Sequence, residues 1–161
     1  MNILLVSVPH SGTTFFNDLI KPSKVTHLYD DRLFEDIFAS DLTVCALRHP
    51  RSVYESWWRR SKIGEGSPKG SAGQLIVNWD KAWNGLASLE GLNCIIHYLP
   101  IDTVDKQECL DALGEMIGKE FNPDWNEKKN VGVSDREGSP PHINLSYLWR
   151  IPIIGRTYPE G

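Results

Sequence analysis

Apolar residues in this chain come in short dense runs separated by polar turns. Residues 2–8 (NILLVSV) form an apolar run broken by one serine and read as a buried strand. Pro9 to Thr14 is a turn-rich break. Phe15, Phe16, Leu19 and Ile20 then recur at helical spacing, and Pro22 ends that helix. Val25 to Tyr29 reads as a second strand. Leu33, Phe34, Ile37 and Phe38 form another helical face, and Leu42 to Leu47 (LTVCAL) a third strand. Pro50 suits the first turn of a helix carrying Val53, Trp57 and Trp58. Leu75 to Leu89 reads as a helix with Trp79 and Trp83 one turn apart. Cys94 to Leu99 (CIIHYL) is a fourth strand, and Cys109 to Ile117 a helix with Gly118 at its C-terminal cap.

Short apolar strands alternating with helices predict an α/β fold: three layers, with a mostly parallel sheet flanked by helices. Residues 64–73 (GEGSPKGSAG) read as a flexible loop inside the single domain 1–161, because strands continue after it. Residues 122–161 are rich in Pro, Gly and Asn and read as an irregular tail. Parallel sheets bind ligands beyond the carboxyl ends of their strands. That rule directs attention to Pro9–Thr14, Asp30–Asp31, Arg48–Pro50 and Pro100–Asp102.

Composition narrows the class. The chain has 161 residues, 40% hydrophobic and 24% charged, which fits one ordinary globular domain and not a disordered segment. No apolar stretch approaches the roughly 20 residues of a membrane span, and the N-terminus lacks the pattern of a signal peptide. The net charge of −4 argues against a nucleic-acid partner held by a broad basic surface. Cys45, Cys94 and Cys109 are odd in number and widely spaced, as expected for reduced core thiols of a cytoplasmic protein rather than a disulfide frame or metal site. Of the six tryptophans, Trp57, Trp58, Trp79 and Trp83 sit at helical spacings and are most economically read as packing residues, and one or two could line an acceptor pocket.

The break after the first strand has the makings of an anion cradle. Backbone N–H groups at a helix start point at the ligand, and the helix dipole favours negative charge. Gly12 lets the backbone approach closely, and Thr13 and Thr14 add hydroxyl donors. Against the P-loop pattern G-x-x-x-x-G-K-[ST], Ser7 stands at the first glycine, Gly12 at the second, Thr13 at the lysine and Thr14 at the hydroxyl. Without the lysine that neutralises β- and γ-phosphates, the usual hydrolysis of ATP or GTP is disfavoured.

Pro9-His10-Ser11-Gly12-Thr13-Thr14-Phe15 resembles the 5′-phosphosulfate loop of the sulfotransferases that use 3′-phosphoadenosine 5′-phosphosulfate (PAPS). The resemblance implies a P-loop NTPase-like fold, PAPS as donor, 3′-phosphoadenosine 5′-phosphate (PAP) as product, and no metal. It assigns Ser11, Gly12, Thr13 and Thr14 to the 5′-phosphate, His10 to assisting sulfuryl transfer, and Phe15 to stacking on adenine. His10 departs from the Lys or Arg common at that position. Arg48-His49-Pro50 follows the third strand, and Ser56 lies eight positions after Arg48. A guanidinium and a hydroxyl so placed could converge on one phosphate. The family has the same arrangement for the 3′-phosphate of the nucleotide. Lys128, Lys129 and Arg136 around Gly132 lie near where the family has a basic closing loop, and Arg136 is taken as the candidate there.

Transfer of a sulfuryl group to a hydroxyl or amine needs a base for the acceptor proton. In the family the carboxylate often lies just beyond the second strand. Asp31 is the first choice and Asp30 the second, with Glu35 and His27 behind them. Asp31 also fits an ordinary helix N-cap, and His27 a satisfied core histidine. The acceptor class stays open among small molecules, glycans and lipids, and a homo-oligomer is compatible with the short chain. Two other readings stand beside the enzyme: a non-catalytic module binding 3′-phosphoadenosine nucleotides, and a P-loop kinase or nucleotide hydrolase.

Overall fold

The computed structural model describes residues 1–7, 12–27, 30–60, 80–81, 96–126 and 142. The expected alternation is present. β1 (Ile3–Ser7), α1 (Thr13–Ile20), β2 (Lys24–His27), α2 (Leu33–Phe38), β3 (Leu42–Leu47), α3 (Pro50–Arg60), β4 (Ile96–Pro100) and α4 (Lys106–Ile117) follow in chain order. The strands form one parallel four-stranded sheet in the order β2-β1-β3-β4. The 75–89 helix lies outside the described residues except for positions 80 and 81, which are helical. The 64–73 loop, Cys94, and most of the 122–161 tail also lie outside them.

Residues of the central strands β1 and β3 alternate between two faces, and both faces are buried, which is why these strands read as apolar runs, whereas Lys24 and Val25 of the edge strand β2 are exposed. On one face Ile3, Leu5, Val44, Ala46 and Leu99 meet Phe15, Phe16 and Ile20 of α1 and Leu110 and Leu113 of α4. Leu4, Val6 and Cys45 alternate to the other face and are fully buried there. Burying a side chain such as Phe16 stabilises the fold by about 2 kcal/mol. Cys45 and Cys109 are buried free thiols, and desolvation pushes the Cys45 thiol far up, so it stays protonated.

The local rules that end the helices are visible. α1 stops at Lys21, which takes a left-handed conformation (φ 54°) immediately before Pro22, with its N–H donating to Asn17 O at 3.0 Å. α4 ends at Gly118 in the left-handed region (φ 71°), where a side chain would be strained. It begins at Lys106, one turn before the predicted start at Cys109.

α2 corrects a sequence expectation. Leu33 and Ile37 are buried, but Phe34 and Phe38 are 41% and 66% exposed, so the four residues do not share one inward face. Beside the buried Leu33 and Ile37, a polar tie joins α2 to the sheet edge. Asp36 accepts from Lys24 Nζ and from Thr26 Oγ1, each at 2.6 Å. Those two bonds, Lys24 first, hold the Asp36 carboxyl below the usual range. No helix among the described residues is long and apolar enough to cross a membrane.

Candidate functional site

Strand order builds the site. From β1 the chain crosses to β2 on one side, then returns to β3 on the other side of β1. In such a sheet the crevice between the two diverging connections lies at the carboxyl ends of β1 and β3. The pairing Ser7↔Ala46 aligns those two strand ends, and Leu47↔Pro100 brings the end of β4 beside them. The turn after β1 and the turn after β3 therefore flank one crevice.

On the β1 side, Gly12 stands at the N-cap of α1 with φ 82° and ψ 20°. A Cβ at this position would collide with Ile101 Cδ1 from the β4 exit. Glycine is favoured here chiefly by the left-handed backbone, because the close neighbour is the end of a flexible side chain. The neighbour is a side chain of this protein, where the sequence suggested a ligand. No side chain caps α1, and Thr14 is exposed in its first turn. Thr13 Oγ1 lies 2.6 Å from the buried Ser7 Oγ. A hydroxyl has one proton to donate and can accept as well. Thr13 can donate to an anion only if Ser7 donates to Thr13, so Ser7 sets the polarity of the loop. The sequence reading noticed Ser7 only as a departure from glycine; the signal was a lone hydroxyl closing an apolar strand.

Phe15 is 7% exposed and turned into the core, stacked on Trp125 with ring centroids 5.4 Å apart. Trp125 is held in turn by Lys106 over its ring at 4.9 Å and by Nε1 donating to Gln107 Oε1 at 2.8 Å. Stacking on adenine needs an open ring face, and Phe15 uses its ring for packing. Pro9, His10 and Ser11 lie outside the described residues, as do Lys128, Lys129, Gly132 and Arg136.

On the β3 side, Arg48 follows the strand directly and α3 begins at Pro50, as predicted. Arg48 and Ser56 are both half-buried, with Ser56 in the second turn of α3. His49 is buried and acts as a hinge for the turn. Its Nδ1 accepts from Arg51 N at 3.1 Å, and its carbonyl accepts from Val53 N at 3.0 Å. Burial, and then the nearby Arg51 charge, lower the His49 pKa. The accepting Nδ1 requires the neutral ring, so both observations agree. The His49 N–H points to Asp102 Oδ2 at 3.4 Å. Burial raises the Asp102 pKa, while the His49 N–H, the Arg48 charge and the Ser52 hydroxyl pull it back. Two atoms around this turn, Arg51 Nε and Asp102 Oδ1, are buried without a hydrogen-bond partner among the described residues.

The candidate bases sit at the β2 end. Asp30 and Asp31 are both exposed. Asp30 Oδ1 accepts from Arg32 N at 2.9 Å, which shapes the turn into α2. The N-cap of α2 is Arg32, so Asp31 does not hold the capping position that its sequence context offered. Glu35 is exposed and lies 3.8 Å from Arg32 Nε. His27 Nδ1 lies 3.3 Å from Ser7 O, and His97 Nε2 lies 2.7 Å from Cys109 O. Both histidines hold backbone carbonyls and tie elements together. No protein-family model, curated protein or solved structure matches the chain.

Proposed function

We propose that the chain is a sulfotransferase core that moves a sulfuryl group from PAPS to a hydroxyl or amine, on a P-loop NTPase-like sheet. The observation that carries the reading is the strand order β2-β1-β3-β4, which sets the Gly12–Thr14 turn and the Arg48 turn on opposite lips of one crevice. Two phosphate-binding turns facing each other suit a nucleotide with phosphates at both ends of its ribose. The residues present fit such a donor: an uncapped α1 start with an exposed Thr14, and a guanidinium and a hydroxyl on the opposite turn. The donor, when bound, supplies an activated S–O bond to a phosphate leaving group.

In this reading Gly12, Thr13 and Thr14 orient the 5′-phosphate through backbone N–H groups and hydroxyls. Arg48 and Ser56 hold the 3′-phosphate. Asp31, exposed at the β2 exit, takes the acceptor proton as the new S–O bond forms and the donor's S–O bond breaks. The missing P-loop lysine weighs against a kinase or hydrolase.

Calorimetry tests the donor assignment. PAP is expected to bind far more tightly than ADP, without magnesium. Equal affinities would sink the role given to Arg48 and Ser56. Arg48→Ala is expected to cost about 2–4 kcal/mol of PAP affinity, as for loss of a charge-assisted phosphate contact. Turnover of labelled PAPS against an acceptor panel then separates the enzyme from a binding module, which would hold PAP tightly and transfer nothing.

A further inference from the structure

Ser7 is the last residue of β1 to pair, and it pairs on both sides, with His27 of β2 and Ala46 of β3. Its carbonyl lies 3.3 Å from His27 Nδ1, and because a carbonyl only accepts, that nitrogen donates. The backbone of Ser7 is thus held from both neighbouring strands, and the residue is fully buried. Its side chain reaches forward to the loop. Ser7 Oγ lies 2.6 Å from Oγ1 of Thr13, the first residue of α1. Two hydroxyls therefore close the turn between the central strand and the helix. They are not used up in ending the helix, because no side chain caps α1.

We infer that Ser7 is a positioning residue for the 5′-phosphate: it donates its hydroxyl proton to Thr13, so that Thr13 turns its own proton to the anion. This rests on the nucleotide reading above and deepens it. The pair has two protons, and one of them is spent on the bond between the hydroxyls. Burial decides which. Ser7 is sealed from solvent, and Thr13 Oγ1 is the partner of its Oγ among the described residues. If Thr13 donated instead, the Ser7 proton would be left at a dry strand end without an acceptor, the costly state for a buried donor. Thr13 is only half-buried, and its proton can turn outward without that cost. A threonine in a helix has few χ1 choices, and the bond from Ser7 selects one of them. Accepting that bond also polarises the Thr13 O–H, which strengthens what it donates in turn. The rigid end of the central strand thereby fixes a donor on the loop.

The test separates the two phosphates by calorimetry. PAP against adenosine 3′-phosphate reads the 5′-phosphate, and PAP against adenosine 5′-phosphate reads the 3′-phosphate. In Ser7→Ala, the first preference is expected to fall about fivefold, the worth of one aligned hydrogen bond. The second is expected to hold, because the Arg48 turn is untouched. Thr13→Val keeps the shape of Thr13 and removes its hydroxyl. In that background Ser7→Ala should cause no further loss, since Ser7 acts through Thr13. A Ser7→Ala protein that keeps the full 5′-phosphate preference overturns the positioning role. So does one that loses both preferences equally, or one whose loss is undiminished in the Thr13→Val background. A wild type that binds PAP and adenosine 3′-phosphate equally overturns the nucleotide reading, and the positioning role with it. Should Ser7→Ala fail to fold, Ser7→Cys puts a weak donor of similar shape in the same place. About threefold loss of the 5′-phosphate preference then supports the role, and no loss refutes it.

Discussion

Two strand exits on the same end of the sheet carry aspartates and put them to opposite uses. At the β2 exit Asp30 and Asp31 are exposed, and Asp30 shapes the turn locally, accepting from Arg32 N and bonding His27 and Leu33 through its backbone. At the β4 exit Asp102 is drawn inward, its pKa raised by burial, with one oxygen toward His49 N–H and the other sealed. The contrast follows from solvation. An exposed carboxylate ionises at little cost and can meet a proton brought by another molecule. A desolvated one is held by the groups around it, and in return holds them. In the proposed reading, proton transfer belongs to the β2 exit, while the β4 exit faces the neighbouring turn.

The largest expected effect breaks the assignment at β2. Asp31→Asn should lower the rate of sulfuryl transfer by about 100-fold or more, the usual reach of a general base. Stability should change by less than about 0.5 kcal/mol, as for an exposed site. Single-turnover kinetics together with thermal melting checks both halves. An unaffected rate moves the base elsewhere.

Next is the contact of the β4 exit with the first turn. Gly12→Ala should cost about 1–2 kcal/mol in urea denaturation, mostly from the left-handed backbone, because Ile101 Cδ1 ends a flexible side chain that can turn aside. Adding Ile101→Ala should leave that backbone cost in place. A cost that disappears with Ile101→Ala would mean that the collision, and not the backbone, sets it.

The smallest effect is a pH dependence of stability. Because the folded pKa of Asp102 is raised, the native state binds more protons than the unfolded state between the ordinary aspartate value and the raised one. Stability from this group is therefore greatest below that window and falls as pH rises through it. Asp102→Asn removes the dependence, so the melting temperature of the variant relative to wild type should increase as pH goes from acid to neutral. His49 titrates in both proteins and cancels. A pH-independent difference would show that Asp102 is not desolvated.

Much of the scaffold was legible in the chain. LTVCAL predicted β3 to the residue, and Pro50 and Gly118 marked a helix start and a helix end where the structure has them. These signals are local: apolar runs, a fixed proline φ, a glycine in the left-handed region. α2 was misread in part because helical periodicity locates an apolar stripe without saying how much of it finds a partner. Leu33 and Ile37 found one, and Phe34 and Phe38 did not. Phe15 shows the same limit. A motif names a residue type, and Trp125, more than a hundred positions later, claims its ring.

Along the chain, the residues determined that strands alternate with helices, that turns rich in Gly, Thr, Arg and Asp fall at the strand ends, and that Cys45 and Cys109 lie in the core. Only the tertiary structure decided which turns share a crevice. That depends on strand order, and strand order comes from packing two faces of a sheet at once. Periodicity cannot report it. It is why Ile101 meets Gly12, and why Asp102, a plain acidic turn residue in the sequence, sits with its carboxylate facing the His49 N–H.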